Sequence, residues 1–598
     1  MIPAIVVAVY LVIISCIGFG AFRRGKENTE DFFLASRTIG PMVFFLSIFA
    51  TNMTAFAILG SSGAAYRRGI GIFGMMASSS GLVIPLTIFF IGTRIWALGK
   101  RFGHQTQVAF FRDRWECSGI GTAIFALSAA MLIPYMIISI IGGGTVLAGI
   151  SRQGPGGSPL IPYELGCLIV TLVVTINVFF GGMRGVVWVN VFQTLLFLLF
   201  GAVAVAVINA NLPNGMAANL EQMRHSPLGA LLTRARIPKS EFWSYSFIPL
   251  SSIMFPHMSI MCLSARKMSA FKRTVVLYPL AIMAIWLPCV FLGALGAKLV
   301  PGLERSDMVL LQLLGAYAPA WLAGILGAGI ISAVMGSDCH QVLALSTMFT
   351  KDIFEHYGGK ERYGERGSVH FARGFILVVT ILALVIALRS RESIFEIAIR
   401  YAFSGFAAMA PIMVAALFWK RSTKWGALAS TVFVAACVLG SAAIANTHKA
   451  GDVILQVGSK PVIFMTKPPV LKPGPGAGRS APGERAGRPG SPAAGPDGAA
   501  GVPHPEGAQA PAPGGRGGGA AMEGAGAGGP KKKPPFNPDL RFLGYMTVVP
   551  MVLGSALMMI LVSLLTPPPS QTTLDRYFPR GGTAEPSAES SRPLSTVS

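Results

Sequence analysis

Charge is scarce in this chain. Asp, Glu, Lys and Arg make up 13% of its 598 residues against 52% hydrophobic residues, and the mean hydropathy is +0.59. Soluble domains carry roughly a quarter charged residues, so a water-soluble globule is excluded. Cysteine is also sparse: seven stand alone at positions 16, 117, 167, 262, 289, 339 and 437. Without a C-x-x-C spacing they read as small core residues, and they leave the redox compartment open. No H-E-x-x-H, no G-x-S-x-G and no Cys/His metal spacing occurs, which removes the usual enzyme signatures. A net charge of +23 and a pI near 10.0 suggest nucleic acid at first. The basic residues, however, are spread over short connections with no aromatic-lined patch between them, so no nucleic-acid partner is expected. The ten-residue alternation of an outer-membrane barrel is missing as well.

What the chain has is long apolar runs, each about twenty residues or more, the length that crosses a bilayer as helix. About thirteen are expected: 2–22, 39–66, 71–98, 118–150, 162–181, 186–209, 241–263, 274–299, 317–350, 371–390, 394–418, 424–445 and 541–565. In lipid only helices or closed barrels satisfy every backbone group, so the fold class is an all-α polytopic membrane protein. No basic residue precedes the first run, while Arg23, Arg24 and Lys26 follow it, the reverse of a cleaved signal. It reads as an anchor with the N-terminus outside. Threaded from there, loops such as Arg23–Arg37, Lys100–Arg114 and Lys351–Arg373 hold about twice the Lys and Arg of the opposite loops, which places them and the C-terminus in the cytoplasm.

From Lys467 to Pro534 the composition turns to Pro, Gly, Ala and Arg. Such a stretch buries too little apolar surface to offset its ordering entropy, so a disordered external insertion is expected. The alternating "DVILQVGSKPVIFM" before it suits a short hairpin. Residues 566–598 read as a disordered cytoplasmic tail. The one N-x-S/T sequon, Asn52-Met53-Thr54, lies inside an apolar run. With the Gly/Ala/Arg-rich insertion, this points to a bacterial plasma membrane.

Two runs are interrupted by polar or helix-breaking residues. "FATNMTAFAILG" (49–60) places Thr51, Asn52 and Thr54 within one turn, and "SFIPLSSIMFPHMSIMC" (246–262) contains Pro249 and Pro256. They lie about 200 residues apart, and the long runs 118–150 and 317–350 repeat that offset. Interrupted helices at matching places in two halves point to a transporter's central site. Five spans per half, 39–209 and 241–418, then form the core. An odd number per half makes the second inverted relative to the first. Around it lie 1–38, the external loop 210–240, an accessory helix at 419–445, the external region 446–540 and the last span.

At this point the sequence resembles the sodium:solute symporter family, which includes proline, pantothenate, monocarboxylate and sugar symporters. "EDFFLASRTIG" (30–40) is similar to the family's D-Y/F-F-L-A-G-R-x-L/I-G, and "LGSSGAAYRRGIG" (59–71) to F-x-G-x-P/S-G-x-A-Y-x-x-G. "GGMRGVVWVNVFQ" (181–193) is similar to G-G-x-x-A-V-x-x-T-D-x-x-Q, and "FPH" (255–257) to Q-P-H. "SAVMGSDCHQVLALSTMFTKDIF" (332–354) resembles A-A-x-M-S-T-x-x-S-Q-L-L-x-x-S-S-x-x-T-x-D-I/L-Y. The resemblance implies a leucine-transporter-type fold of inverted five-helix repeats with discontinuous first and sixth core helices.

It also implies a sodium ion held between the first and eighth core helices, on the carbonyls of Ala50, Met53 and Ala333 and the hydroxyl of Ser337. Gly336 stands where the family has a further Ser, and Asn190 where it has Asp, so that ligand set is incomplete. Asp338, beside Ser337, either supplies the missing ligand or titrates and couples transport to protons; otherwise it faces a cytoplasmic vestibule or pairs with His340. The substrate is expected between the broken helices, near Asn52, Phe56, Ser252, Phe255 and His257, facing Tyr135. His257 is either an anchor for an anionic solute or a structural histidine. Glu396 and Arg400, at i and i+4 on the tenth core helix, are either an outer gate or a helix-stabilising pair. The expected function is sodium-coupled symport of a small organic solute. The alternatives are a proton-coupled or weakly coupled carrier, or a solute sensor acting with a separate kinase.

Overall fold

The computed structural model describes residues 2–23, 28–152, 158–390, 394–449, 451–457, 460–466 and 539–578. The insertion expected to be disordered, 467–534, lies outside the described residues. Among those described, ten helices are long and apolar enough to cross a membrane, and two bent pairs add two further spans. The longest helix, Tyr163–Asn211, has 49 residues, about 74 Å if straight. It is broken at Gly182, where φ is 51° and ψ −153°. A Cβ there would fall 2.8 Å from the Phe32 carbonyl, so both the backbone angle and the close approach call for glycine. Counted as the two spans it contains, it brings the total to the thirteen expected.

Both interrupted helices bend. Pro41–Asn52 and Phe56–Arg68 meet at 60°, and Lys239–Met254 and Pro256–Leu263 at 48°. Both prolines interrupt the second: Pro249 sits in the 3-10 turn Ile248–Leu250, which separates Lys239–Tyr245 from Ser251–Met254, and the sharp bend falls at Pro256, because a proline removes its own N–H and disfavours helical geometry in the residue before it. Phe255 is accordingly extended, with φ −61° and ψ 117°. The first break has no proline. Met53 is extended (φ −89°, ψ 115°), and the Thr54 hydroxyl accepts from the Phe56 N–H at 3.1 Å, as a capping residue does at the start of a helix.

The two broken helices run in opposite directions. Ile39, at the start of the first, bridges Ala265, at the end of the sixth, and the Arg266 N–H donates to the Ile39 carbonyl at 3.0 Å. At the other end Arg68 meets Glu241, the end of one against the start of the other, at 2.6 Å. The N-terminal helix Ile2–Phe22 packs on the fifth and eighth core helices, where the Tyr10 hydroxyl accepts from Gln193 (3.0 Å) and Ser332 (2.9 Å).

The all-α membrane fold is as expected, and three details differ. Outside the helices, β1 (Val453–Val457), β2 (Lys460–Met465), β3 (Leu540–Phe542) and β4 (Tyr545–Met546) form a small antiparallel sheet in chain order, so the expected hairpin is half of a larger unit. The last span therefore begins at Val548 and not at 541. The tail holds a helix, Gln571–Tyr577, capped by the Ser570 hydroxyl. It docks on the connection after the second core helix through Arg576 to Asp113 (2.8 Å) and the Tyr577 hydroxyl to the same carboxylate (2.5 Å). Burial pushes the Asp113 carboxyl up, but hydrogen bonds from His104 and Tyr577 and the positive charge of Arg576 outweigh it and hold the group below its ordinary value.

Candidate functional site

The first break frees backbone acceptors. Met53 donates to the Phe49 carbonyl, but the carbonyls of Ala50 and Met53 accept no hydrogen bond among the described residues. Thr51 donates to Ser47 one turn back (2.7 Å), and Asn52 donates to the Tyr278 hydroxyl on the seventh core helix (2.6 Å). The three polar residues of that turn are thus spent on pinning the break, while the carbonyls beside them stay open. The sixth core helix is treated differently: Gln107 donates to the Met254 carbonyl (3.0 Å) and accepts from Ser259 (2.9 Å), filling the gap with a side-chain amide.

Facing the first break is the eighth core helix, Ala320–Phe354. Gly336 lies against it, since a Cβ placed there would be 3.4 Å from the Ala50 Cβ, 3.1 Å from Gln193 Oε1 and 3.3 Å from Asn190 Oδ1. Neither amide oxygen has a hydrogen-bond partner. Ala333 and Ser337 are fully buried; the Ser337 hydroxyl donates to the Val334 carbonyl at 3.2 Å, which leaves its lone pairs available. Asp338 is 2% exposed, and its Oδ1 has no hydrogen-bond partner. It is not in an open vestibule, and it is not paired with His340, whose Nδ1 meets the Asn190 amide at 2.8 Å.

The expected substrate residues divide. Tyr135, Phe255 and His257 form one ring cluster, with His257 stacked on Phe255 at 4.9 Å and Tyr135 5.2 Å from Phe255. Phe56 joins through Phe403, which lies 5.1 Å from Phe56 and 5.2 Å from Tyr135. Both nitrogens of His257 are buried and without a hydrogen-bond partner among the described residues. Asn52 turns instead to Tyr278, and the Ser252 hydroxyl to its own helix at the Pro249 carbonyl (2.7 Å). Sequence reasoning missed Phe403 and Gln107; the first looks like one more apolar residue of a span, and the second sits in what reads as a loop.

The expected Glu396 and Arg400 contact is rearranged. Residues Ala398–Phe403 wind as a π-turn, which rotates Arg400 away from the ordinary i,i+4 position. Glu396 pairs with Arg67 at the end of the first core helix (3.7 Å) and Arg400 with Asp539 just before β3 (3.4 Å). These groups line a cavity of about 460 Å³ at the sheet-covered end of the bundle. A second cavity, about 430 Å³, opens at the opposite end beside Arg112, Lys351 and Asp352. The ring cluster lies between.

Two antiparallel broken helices, freed carbonyls at mid-bundle and a cavity at either end define a secondary carrier of the leucine-transporter type. The family model for the "Sodium:solute symporter family" matches residues 32–433, and the chain belongs to that family. It is a transporter and not an enzyme, with sodium as its coupling ion, and neither proton coupling nor a sensor role is favoured. Its curated relatives include the sodium/pantothenate symporter of Escherichia coli (strain K12), 25% identical over 436 residues, 71% of this chain and 87% of that one. A sodium/proline symporter of Staphylococcus aureus (strain USA300 / TCH1516) is 26% identical over 73% of this chain and 85% of its own. The solved structure of a Na+-coupled sialic acid symporter in a substrate-bound outward-open state aligns with a TM-score of 0.61 at 17% identity, covering 74% of this chain and 92% of that one, which shows the shared fold.

Proposed function

We propose that this carrier imports a small organic solute with sodium across a bacterial plasma membrane, with the sheet-covered end outside and the C-terminus in the cytoplasm. The ion sits at the first break, on the Ala50, Met53 and Ala333 carbonyls and the Ser337 hydroxyl. Asp338 supplies the ligand missing at Gly336. The observation that carries this reading is the open pair of carbonyls at Ala50 and Met53, packed against the eighth core helix. The buried Asp338 on that same helix supports it, because its Oδ1 has no hydrogen-bond partner among the described residues and such an atom is costly unless something compensates it. Hard oxygen donors suit a small hard cation. The solute binds between the broken helices at Phe56, Tyr135, Phe255 and His257, with Asn52 and Ser252 on the flanks. Glu396 and Arg400 act in the outer gate through Arg67 and Asp539.

Thermal unfolding of the purified full chain in detergent tests the ion site, with NaCl exchanged for KCl at constant ionic strength and at pH 6 and 8. A ligand that binds only the folded state raises stability by RT ln(1 + [L]/Kd). Sodium-specific stabilisation is expected in the parent chain and is lost in Ser337→Ala and Asp338→Asn. Stabilisation that survives in both variants would move the ion elsewhere. Its absence in the parent, with a pH-dependent shift abolished by Asp338→Asn, would replace sodium by protons.

A further inference from the structure

The outer cavity is lined by five arginines, 67, 68, 236, 400 and 541, and three carboxylates, Glu241, Glu396 and Asp539. Arg68 and Arg541 share Glu241 at 2.6 and 3.4 Å, Arg400 and Arg541 share Asp539, and Arg67 takes Glu396. Arg236 makes no ion pair among the described residues; its Nη1 donates to the Arg67 carbonyl at 3.5 Å. The lining therefore carries an excess of two positive charges. Basic residues normally collect on the cytoplasmic side, so a cluster at the outer end needs another reason.

The floor of this cavity is Phe395, and from it rings run inward in unbroken contact. Phe395 stacks on Phe56 at 5.1 Å, Phe56 meets Phe403 at 5.1 Å, and Phe403 meets Tyr135 at 5.2 Å and Phe255 at 5.9 Å. The series ends on His257, whose two nitrogens have no hydrogen-bond partner among the described residues. Rings that pack on one another can exchange that contact for a ring of the solute at little cost, whereas a purely polar solute would have to part them without replacing it. An aromatic wall also suits a quaternary ammonium, through cation–π attraction. The charge of the mouth decides between the two, because a cavity of one sign concentrates the opposite one.

We propose that the solute is an aromatic monocarboxylate, drawn in by the arginine-rich mouth, seated with its ring among Phe56, Phe403, Tyr135 and Phe255, and anchored at His257. This rests on the carrier reading above and narrows its substrate class. The carboxylate takes a hydrogen bond from the imidazole, which is otherwise left with an unpaired donor. The ring replaces contacts the cluster already makes.

The test is thermal unfolding of the full chain in detergent at low ionic strength, in NaCl and in KCl, with four probes. Phenylacetate carries both ring and charge, acetate only the charge, 2-phenylethanol only the ring, and choline is the quaternary ammonium. Phenylacetate is expected to stabilise in sodium more than any other probe. Phe403→Leu should raise its half-saturation about two- to tenfold, the worth of an aromatic pair. Arg236→Gln should slow its association, followed by tryptophan fluorescence, about two- to fivefold with the stabilisation kept, as removal of a steering charge does. Equal or greater stabilisation by choline, acetate or 2-phenylethanol overturns the proposal, as does an unchanged association rate in Arg236→Gln. The sodium arm without any probe reports on the carrier reading separately. Stabilisation by sodium with none by phenylacetate sinks the substrate class alone, and no stabilisation by sodium sinks the ion site whatever phenylacetate does.

Discussion

Gly336 concentrates what one residue decides here. Its missing side chain leaves the proposed ion site one hydroxyl short and leaves the Asn190 and Gln193 oxygens pointing at an empty position, 3.3 and 3.1 Å from where a Cβ would sit. Gly336→Ser would place a hydroxyl that can donate to one of those oxygens and offer its lone pairs to sodium. The fit is tight, so the amides must yield by a few tenths of an ångström. Sodium half-saturation, read from the thermal-shift titration, is expected to fall about fivefold, the worth of roughly 1 kcal/mol for one added ligand. An unchanged or higher value would mean that sodium does not visit this turn. The departure was legible in the sequence, because Gly336 interrupts a recognisable motif. That His340 would meet Asn190 rather than Asp338 was not, since the two lie 150 residues apart and only the packing of the fifth helix against the eighth brings them together.

Among the elements, the two broken helices were legible from polar and proline residues inside apolar runs; in the sixth, Pro249 marks a 3-10 turn and Pro256 the sharp bend. The π-turn at Ala398–Phe403 was not, since nothing in composition distinguishes hydrogen bonds five residues apart from bonds four apart, and with it Glu396 and Arg400 go to different partners. The helix Gln571–Tyr577 was also hidden: seven residues, with no apolar face of their own, acquire order by docking on Asp113. A carboxylate held below its unfolded value contributes stability that is present above about pH 4 and is lost as pH falls through the lower folded value. Proteolytic trimming of the C-terminus is therefore expected to stay constant from pH 8 to pH 5 and to accelerate only in stronger acid. Asp113→Asn should show fast trimming throughout that range; equally slow trimming in the variant would mean that Tyr577 and its ring contacts hold the helix unaided.

At the scale of the molecule, the order of spans and the inversion of the halves follow from run lengths and offsets alone. The sheet over the 460 Å³ cavity does not, because β2 and β3 are separated by the Pro/Gly-rich insertion and short strands carry little signal across such a gap. The two broken helices are tied unequally. At one end the ties are backbone hydrogen bonds, Ile39 to Ser264 and Arg266 to Ile39, with Trp96 donating to the Ala265 carbonyl at 2.7 Å. At the other, between the helices themselves, they are ion pairs such as Arg68 with Glu241. Dissolved ions weaken charge pairs over a Debye length of about 8–10 Å, a partly buried pair such as this one less than an exposed one, and leave amide–carbonyl bonds nearly untouched. Alkylation of a cysteine placed at Ser404, in the sheet-covered cavity, should therefore quicken as ionic strength rises, while hydrogen exchange at the Ile39 and Arg266 amides stays level; parallel responses would show that both ends loosen together. The carrier is in this sense fastened by a hinge that ignores the salinity of its surroundings and a clasp that senses it, so that the brine bathing the sheet-covered end helps to set how often that door stands open.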